Sequence, residues 1–493
     1  MVNGEFVDEA DSDAEYDNDD TGDEHRPRGA VRNGSNASRL LATIIGVAVL
    51  GALAVGGAQW VSQDRDVVPE VNGWSAVVTA DRMSGALTLW SPSLELLATA
   101  NHGERIAAVL DGGGVSAVVL PDSVIVEPFD LLPTIMPIPS GHRVRALSTS
   151  NDLTVVIGND AGGNLVIITD RAGARPSVID LGAITGEPNP RYFPADIEHD
   201  LNGTLFAIAD TVNFQTVLVS PDSEQPVYLP DLALAVHPNL VVTSQTVGDR
   251  AEIGLFDPNG DRIRTISTPA VRGGTISADG ERFIFVTRDG RVMRVRRTSN
   301  DLEDLGGLDM PDLEVVTDVT PVVGGSRLWV RSAHSAAVVA LDGQVLGRWV
   351  GTGDITNETL TMSSRCAIVE ADGVSRLVDL INGRELADVS GLVGISQSDD
   401  GCLLTAIRSS TQSTVLVGRF NVVDLVGRRV LAMAPDSSAV ILTSESGPVL
   451  LDIKDLAIAL SGGSAASAQR IETGDDLYVI VSGFIDTGVV GDG

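Results

Sequence analysis

A beat of about 40 residues runs through most of this chain and limits its fold more than any other feature. Apolar runs ending in a polar turn recur as "LTLWSPS", "VIVEPFD", "LVIITD", "VLVSPD", "IGLFDPNG", "VMRVRRTS", "VVALDG", "LVDLING", "VLVGRFN" and "VLLDIKD". From Ser93 to Asp455 their endpoints make nine steps over 362 residues. A second run, such as "LTVVIG", "FIFVTR" or "CLLTAI", precedes each on the same beat. Between the runs stand turn dipeptides: Asn202-Gly203, Asn259-Gly260, Asp279-Gly280, Asp289-Gly290, Asp342-Gly343, Asp372-Gly373, Asn382-Gly383 and Asp400-Gly401. These favour the positive-φ conformations of tight hairpins, so the class is all-β. Aromatics make up only 4% of the chain, which leaves Val, Ile, Leu and Ala to fill the core.

Three or four short strands per unit imply small sheets with two apolar faces, neither of which can be buried alone. Stacking them radially, each covering its neighbour, gives a β-propeller. Ten units are counted over residues 73–465, so seven to ten blades are expected. A solenoid of stacked sheets meets the same period. The segment 466–493 carries one more apolar run, "DLYVIVSGFI", expected to pair with the first blade and close the ring.

The unit "ISADGERFIFVTRDGRVMRV", 276–295, resembles the S-x-D-G-x-x-h-h-h-x-S-x-x-D-G-x-h-h-x-h repeat of bacterial propellers of the TolB and WD40-like group. Partial echoes are "EHDLNGTLFAIAD", "SQSDDGCLLTAI" and "MAPDSSAVILTS". The resemblance implies a binding platform, since most such propellers dock proteins, glycans or small ligands and few are enzymes.

The N-terminal part is built differently. Residues 1–38 hold eleven acidic residues between Glu5 and Glu24 and little that is apolar, so they are expected to be a disordered tail. Leu40–Ala58 then runs nineteen residues without a charge, about the thickness of a bilayer core, and Trp60 follows at an interfacial position. A transmembrane helix is expected over 39–61, and a linker over 62–72. Arg26, Arg28, Arg32 and Arg39 precede the span with no net positive charge after it, which places the tail in the cytoplasm and the propeller outside. A cleaved signal peptide competes, although its apolar run is normally shorter. Ala48, Ala52 and Gly56 form a small-residue stripe through which two such helices would pair as a homodimer. Lys454 is the only lysine among 34 basic residues, and this arginine bias, with the anchor and the propeller repeat, points to an actinobacterial type of chain.

A net charge of −33 argues against nucleic acid as a partner, because a phosphate backbone needs a basic footprint. His102, His142, His199, His237 and His334 show no metal-ligand spacing, and there is no H-E-x-x-H, nucleophile elbow or phosphate loop. Asp399-Asp400 is a pair suited to acid–base chemistry on a sugar, but such acids recur at turns throughout. "DPNGD", Asp257–Asp261, spaces oxygens as a calcium loop does but lacks a downstream Glu. Trp74, Trp90, Trp329 and Trp349 do not recur per unit as in quinone-dependent propeller dehydrogenases. No catalytic residue, metal or cofactor is therefore expected.

Cys366 and Cys402, the only cysteines, are a candidate disulfide. They stand in "RCAIVEA" and "GCLLTAI", matching places in adjacent units, which would hold them about 10 Å apart. Joining them takes a one-residue offset or a shift at the start of the strand. The expected function is non-catalytic: a membrane-anchored extracytoplasmic scaffold for a protein or an envelope polymer. A glycan-active enzyme or lectin of the envelope is the alternative. It predicts acidic and aromatic side chains converging at one mouth of the central channel.

Overall fold

The computed structural model describes residues 74–112, 115–148, 152–171, 175–186, 191–194, 197–200, 203–223, 225–309, 315–351, 360–371, 373–418, 422–445, 447–456, 469–470 and 477–482. The chain divides into Met1–Arg65 and Asp66–Gly493. The expected tail, transmembrane helix and linker lie outside the described residues, and among the described residues no helix is long and apolar enough to cross a membrane.

The second unit is a ten-bladed β-propeller. Its strands form ten antiparallel sheets, nine of four strands and one of three. Chain order runs through blade 2 (Ala108–Pro137), blade 3 (Arg143–Asp180), blade 4 (Ile197–Pro230), blade 5 (Leu232–Pro269), blade 6 (Val271–Gly307) and blade 7 (Asp318–Val350). Blades 8 (Cys366–Asp388), 9 (Leu392–Asp424) and 10 (Val430–Arg470) follow. Blade 1 combines Trp74–Asp81, Ala86–Trp90 and Leu96–Asn101 with the C-terminal strand Leu477–Ser482, which pairs antiparallel with Trp74–Asp81. Blade 8 is the three-stranded sheet, and residues 352–359 ahead of it are not described.

Alternation along each second strand explains why both faces are apolar. In Arg282–Thr287, Phe283 and Phe285 point into the seam with blade 5, while Ile284 and Val286 point into the seam with blade 7. Each fully buried side chain of this size is worth roughly 1.5–3 kcal/mol. Ten buried clusters result, and each spans one seam between consecutive blades. The cluster joining Ala439, Ile441 and Leu450 of blade 10 to Val77, Tyr478 and Ile480 of blade 1 closes the circle.

The first strands of consecutive blades pack on one another, as Val271–Ile276 does on both Leu232–His237 and Asp318–Val322, so they line the axis. Leu477–Ser482 does the same with its neighbours' first strands and takes the innermost place in blade 1. Trp74–Asp81 is consequently a second strand. It enters at the rim where first and second strands meet, and where third and fourth strands also turn. That side is called the entry rim. The far rim carries the second-to-third turns and the connections between blades.

Candidate functional site at the entry rim

The acidic residues of the repeat are consumed in building turns. In blade 6 the Ser277 hydroxyl donates to Asp279 Oδ1 and accepts the Arg282 N–H at 3.0 Å, while Asp279 accepts the Glu281 N–H at 3.0 Å. Thr287, Asp289 and Arg291 repeat the device, with the Arg291 N–H reaching Thr287 Oγ1 at 3.0 Å. These bonds hold Asp279 below the ordinary carboxylate range even though burial pulls it upward. Asp257 likewise accepts the N–H groups of Asn259 and Asp261, at 3.0 and 2.8 Å, so the "DPNGD" oxygens serve a turn.

From blade 5 to blade 10 the first-to-second turns are tied to one another along the entry rim. His237 Nε2 lies 3.2 Å from Ala278 O in blade 6, while its Nδ1 faces the Asn239 N–H at 3.1 Å, which assigns the proton to Nε2. Thr275 donates to Gly325 O in blade 7, and the Val323 N–H donates to Ser364 O ahead of blade 8. Asp400 is the hub of this chain. Its carbonyl accepts from Arg365 and Cys366 N–H at 2.7 and 2.9 Å, and its own N–H donates to Pro435 O at 3.0 Å. Its carboxylate accepts from Ser398, from the Cys402 N–H and from Ser437. Desolvation still outweighs these bonds and raises the Asp400 pKa. Gly401 can approach this closely because it lacks a side chain: a Cβ there would meet Cys366 O at 2.5 Å.

Cys366 and Cys402 meet beside this hub, with Cα atoms 5.0 Å apart and their sulfurs at disulfide distance. The matching positions expected from sequence are corrected by one residue. Cys402 follows Gly401, the residue whose N–H closes the turn onto Ser398, whereas Cys366 stands two places after Ser364, the equivalent donor onto Thr361. A one-residue offset reverses the face of a strand. Cys366 and Ile368 therefore look toward blade 9, and Cys402, Leu404 and Ala406 look back toward blade 8, all in one buried cluster.

The other residues singled out by sequence do not converge. His102, His142, His199, His237 and His334 lie on five separate parts of the chain, and no group of three or more His, Cys, Asp or Glu that would hold a metal forms among the described residues. Trp329 and Trp349 pack together in the seam between blades 7 and 8, with ring centroids 5.6 Å apart. Trp74 and Trp90 flank the seam between blades 10 and 1, where Trp90 Nε1 donates to Thr79 Oγ1 at 2.9 Å. Among the described first strands Tyr478 is the one aromatic residue, and it is buried. The aromatic mouth expected of a glycan site is therefore not formed by these residues.

Glu198, on the first strand of blade 4, carries no sequence motif of its own. It stands opposite Ala207, while Ile197 packs toward blade 3, so alternation turns Glu198 toward blade 5, whose Ala233 and Val236 line that seam. Burial alone pushes its pKa up to about 7. Its surface nevertheless remains exposed, and both facts hold if the side chain lines an enclosed space with protein around it but not packed onto it. Asp399 is similar: exposed, yet raised first by surrounding protein and then by the charge of Asp400.

No family model matches the chain, and no curated protein matches it. Among solved structures it is similar to a crystal structure of a eukaryotic initiation factor, at 13% identity and a TM-score of 0.40, over 71% of this chain and 96% of that one. It is also similar to the Cps50 (Swd1) β-propeller domain of Myceliophteria thermophila, at 14% identity and 0.31, over 52% and 96%. A third is the dihydro-heme d1 dehydrogenase NirN in complex with DHE, at 13% identity and 0.36, over 65% and 74%.

Proposed function

We propose that the chain is a non-catalytic scaffold, anchored in the membrane by its N-terminal apolar run, that holds a partner protein outside the cytoplasm. The observation carrying this reading is where the polar and apolar groups go. The repeat's acids are spent on turns and on ties between blades, whereas the far rim of blades 4 and 5 also carries exposed apolar tips. Val212 and Phe214 lie in the second-to-third turn of blade 4 and Val247 begins that of blade 5, at 57%, 73% and 72% exposure. Single exposed apolar residues are ordinary, but neighbouring turns of a rigid frame make a docking patch. An envelope polymer is the other occupant of such a platform. Crosslinking in intact cells, followed by identification of the captured species, tests the reading. Phe214→Ser with Val247→Ser is expected to cut capture at least tenfold without changing Tm. Undiminished capture removes the far rim from the reading, and enzyme-like turnover of an envelope substrate by the purified chain removes the scaffold role.

A further inference from the structure

The hairpin between the third and fourth strands of blade 2, Ser123–Val126 and Thr134–Pro137, has an unusual tip. Leu131 and Leu132 are 101% and 87% exposed, the highest values among the exposed large hydrophobic residues described. Their exposure is built into the loop. Phe129 packs against the buried cluster between blades 1 and 2, the Glu127 N–H donates to Ser116 O, and the Asp130 N–H donates to Glu127 O. Glu127 holds a positive φ of 56°, and Pro128 and Pro133 bracket the segment. Two leucines are thus presented outward on a fixed base, in a chain whose core is otherwise closed seam by seam.

Being a third-to-fourth turn, this hairpin lies on the entry rim. The described chain begins on the same rim at Trp74, in the neighbouring blade, and Trp74 pairs with Ser482 near the end of the closing strand. Only fifteen residues separate Trp74 from the apolar run that ends at Ala58. Even fully extended, they reach at most about 50 Å. On the anchor reading, the chain leaves the bilayer within that reach of Trp74 on the entry rim.

We propose that Leu131 and Leu132 insert into the interfacial layer of the bilayer and set the entry rim against the membrane. This rests on the anchor reading above. Tethering raises the effective concentration of lipid at the tip, so two leucines suffice where they would not recruit a soluble protein. Asp130 and Glu127 beside the tip favour zwitterionic over anionic headgroups.

The full chain carrying Leu131→Cys, labelled with an environment-sensitive fluorophore under non-reducing conditions, is reconstituted into phosphatidylcholine vesicles. Val212→Cys on the far rim is the control. The expected result is blue-shifted emission at position 131 that is quenched by brominated phosphatidylcholine, and no change at 212. Emission at 131 that matches 212 in vesicles that float with the protein overturns the insertion and leaves the anchor standing. A blue shift without bromine quenching marks a protein contact and also overturns it. Failure of the protein to float with vesicles removes the anchor and the inference together.

Discussion

Glu198 shows how one side chain can make the propeller sensitive to pH. The elements around its strand are Phe206–Asp210 and Leu232–His237. Their charged groups turn elsewhere: Asp210 is engaged with Val212, Asn213 and Gln215 in the far-rim turn, and His237 bonds toward blade 6. No counter-charge therefore offsets desolvation, and the folded pKa of about 7 exceeds the ordinary value of 4.5. The folded state then binds the proton more tightly than the unfolded one. The stability this adds is complete below the unfolded value and is lost as pH rises through about 7. Glu198→Gln is expected to make the fall of Tm between pH 5 and 8 shallower than in the natural chain. Parallel Tm–pH curves for the two proteins would refute this account. Nothing in "EHDLNG" announces the effect, because the surroundings of Glu198 are supplied by another strand and by blade 5.

Among the elements, the seam between blades 8 and 9 is held by hydrophobic burial, by the Asp400 hub and by the two cysteines. Joining Cys366 to Cys402 closes a loop spanning a separation of 36 residues. In the chain-entropy model such a loop is worth about 3–4 kcal/mol. Cys402→Ser is expected to lower stability by that order and to leave the natural chain's Tm unmatched unless reductant is added to both. Thiol labelling under denaturant without reductant should find no free cysteine in the natural chain. Full labelling refutes the covalent tie and leaves only two buried thiols. Here the sequence reading reached the correct pair of strands but not their offset. The apolar strings "CAIVEA" and "CLLTAI" look alike, and the offset is set by which backbone N–H closes each preceding turn.

For the whole molecule, stability depends on closing a circle. Every blade buries two faces, so an open ring would leave two faces bare and an edge of unpaired backbone at blade 1. Removing residues 476–493 deletes the strand that supplies Tyr478 and Ile480 to the last seam. The truncated chain is expected to lose hydrogen-exchange protection first in Trp74–Asp81 and in blade 10, and to aggregate. Protection unchanged in those two blades would mean that the ring does not need this strand.

The sequence alone determined the all-β class, the repeat and the structural use of its Asp-Gly turns. These are local properties: strand alternation, a period, and the positive φ that such dipeptides accept. It also marked Cys366 and Cys402 and the run that became the closing strand. Only the tertiary structure decided the rest. It placed Asp400 between three blades, turned the cysteines onto opposing faces, set Glu198 against blade 5 without a counter-charge, and brought the chain's point of entry to the same rim as Leu131 and Leu132. Each of these depends on which residues from distant units face one another across a seam, and a repeat seen one unit at a time does not carry that information.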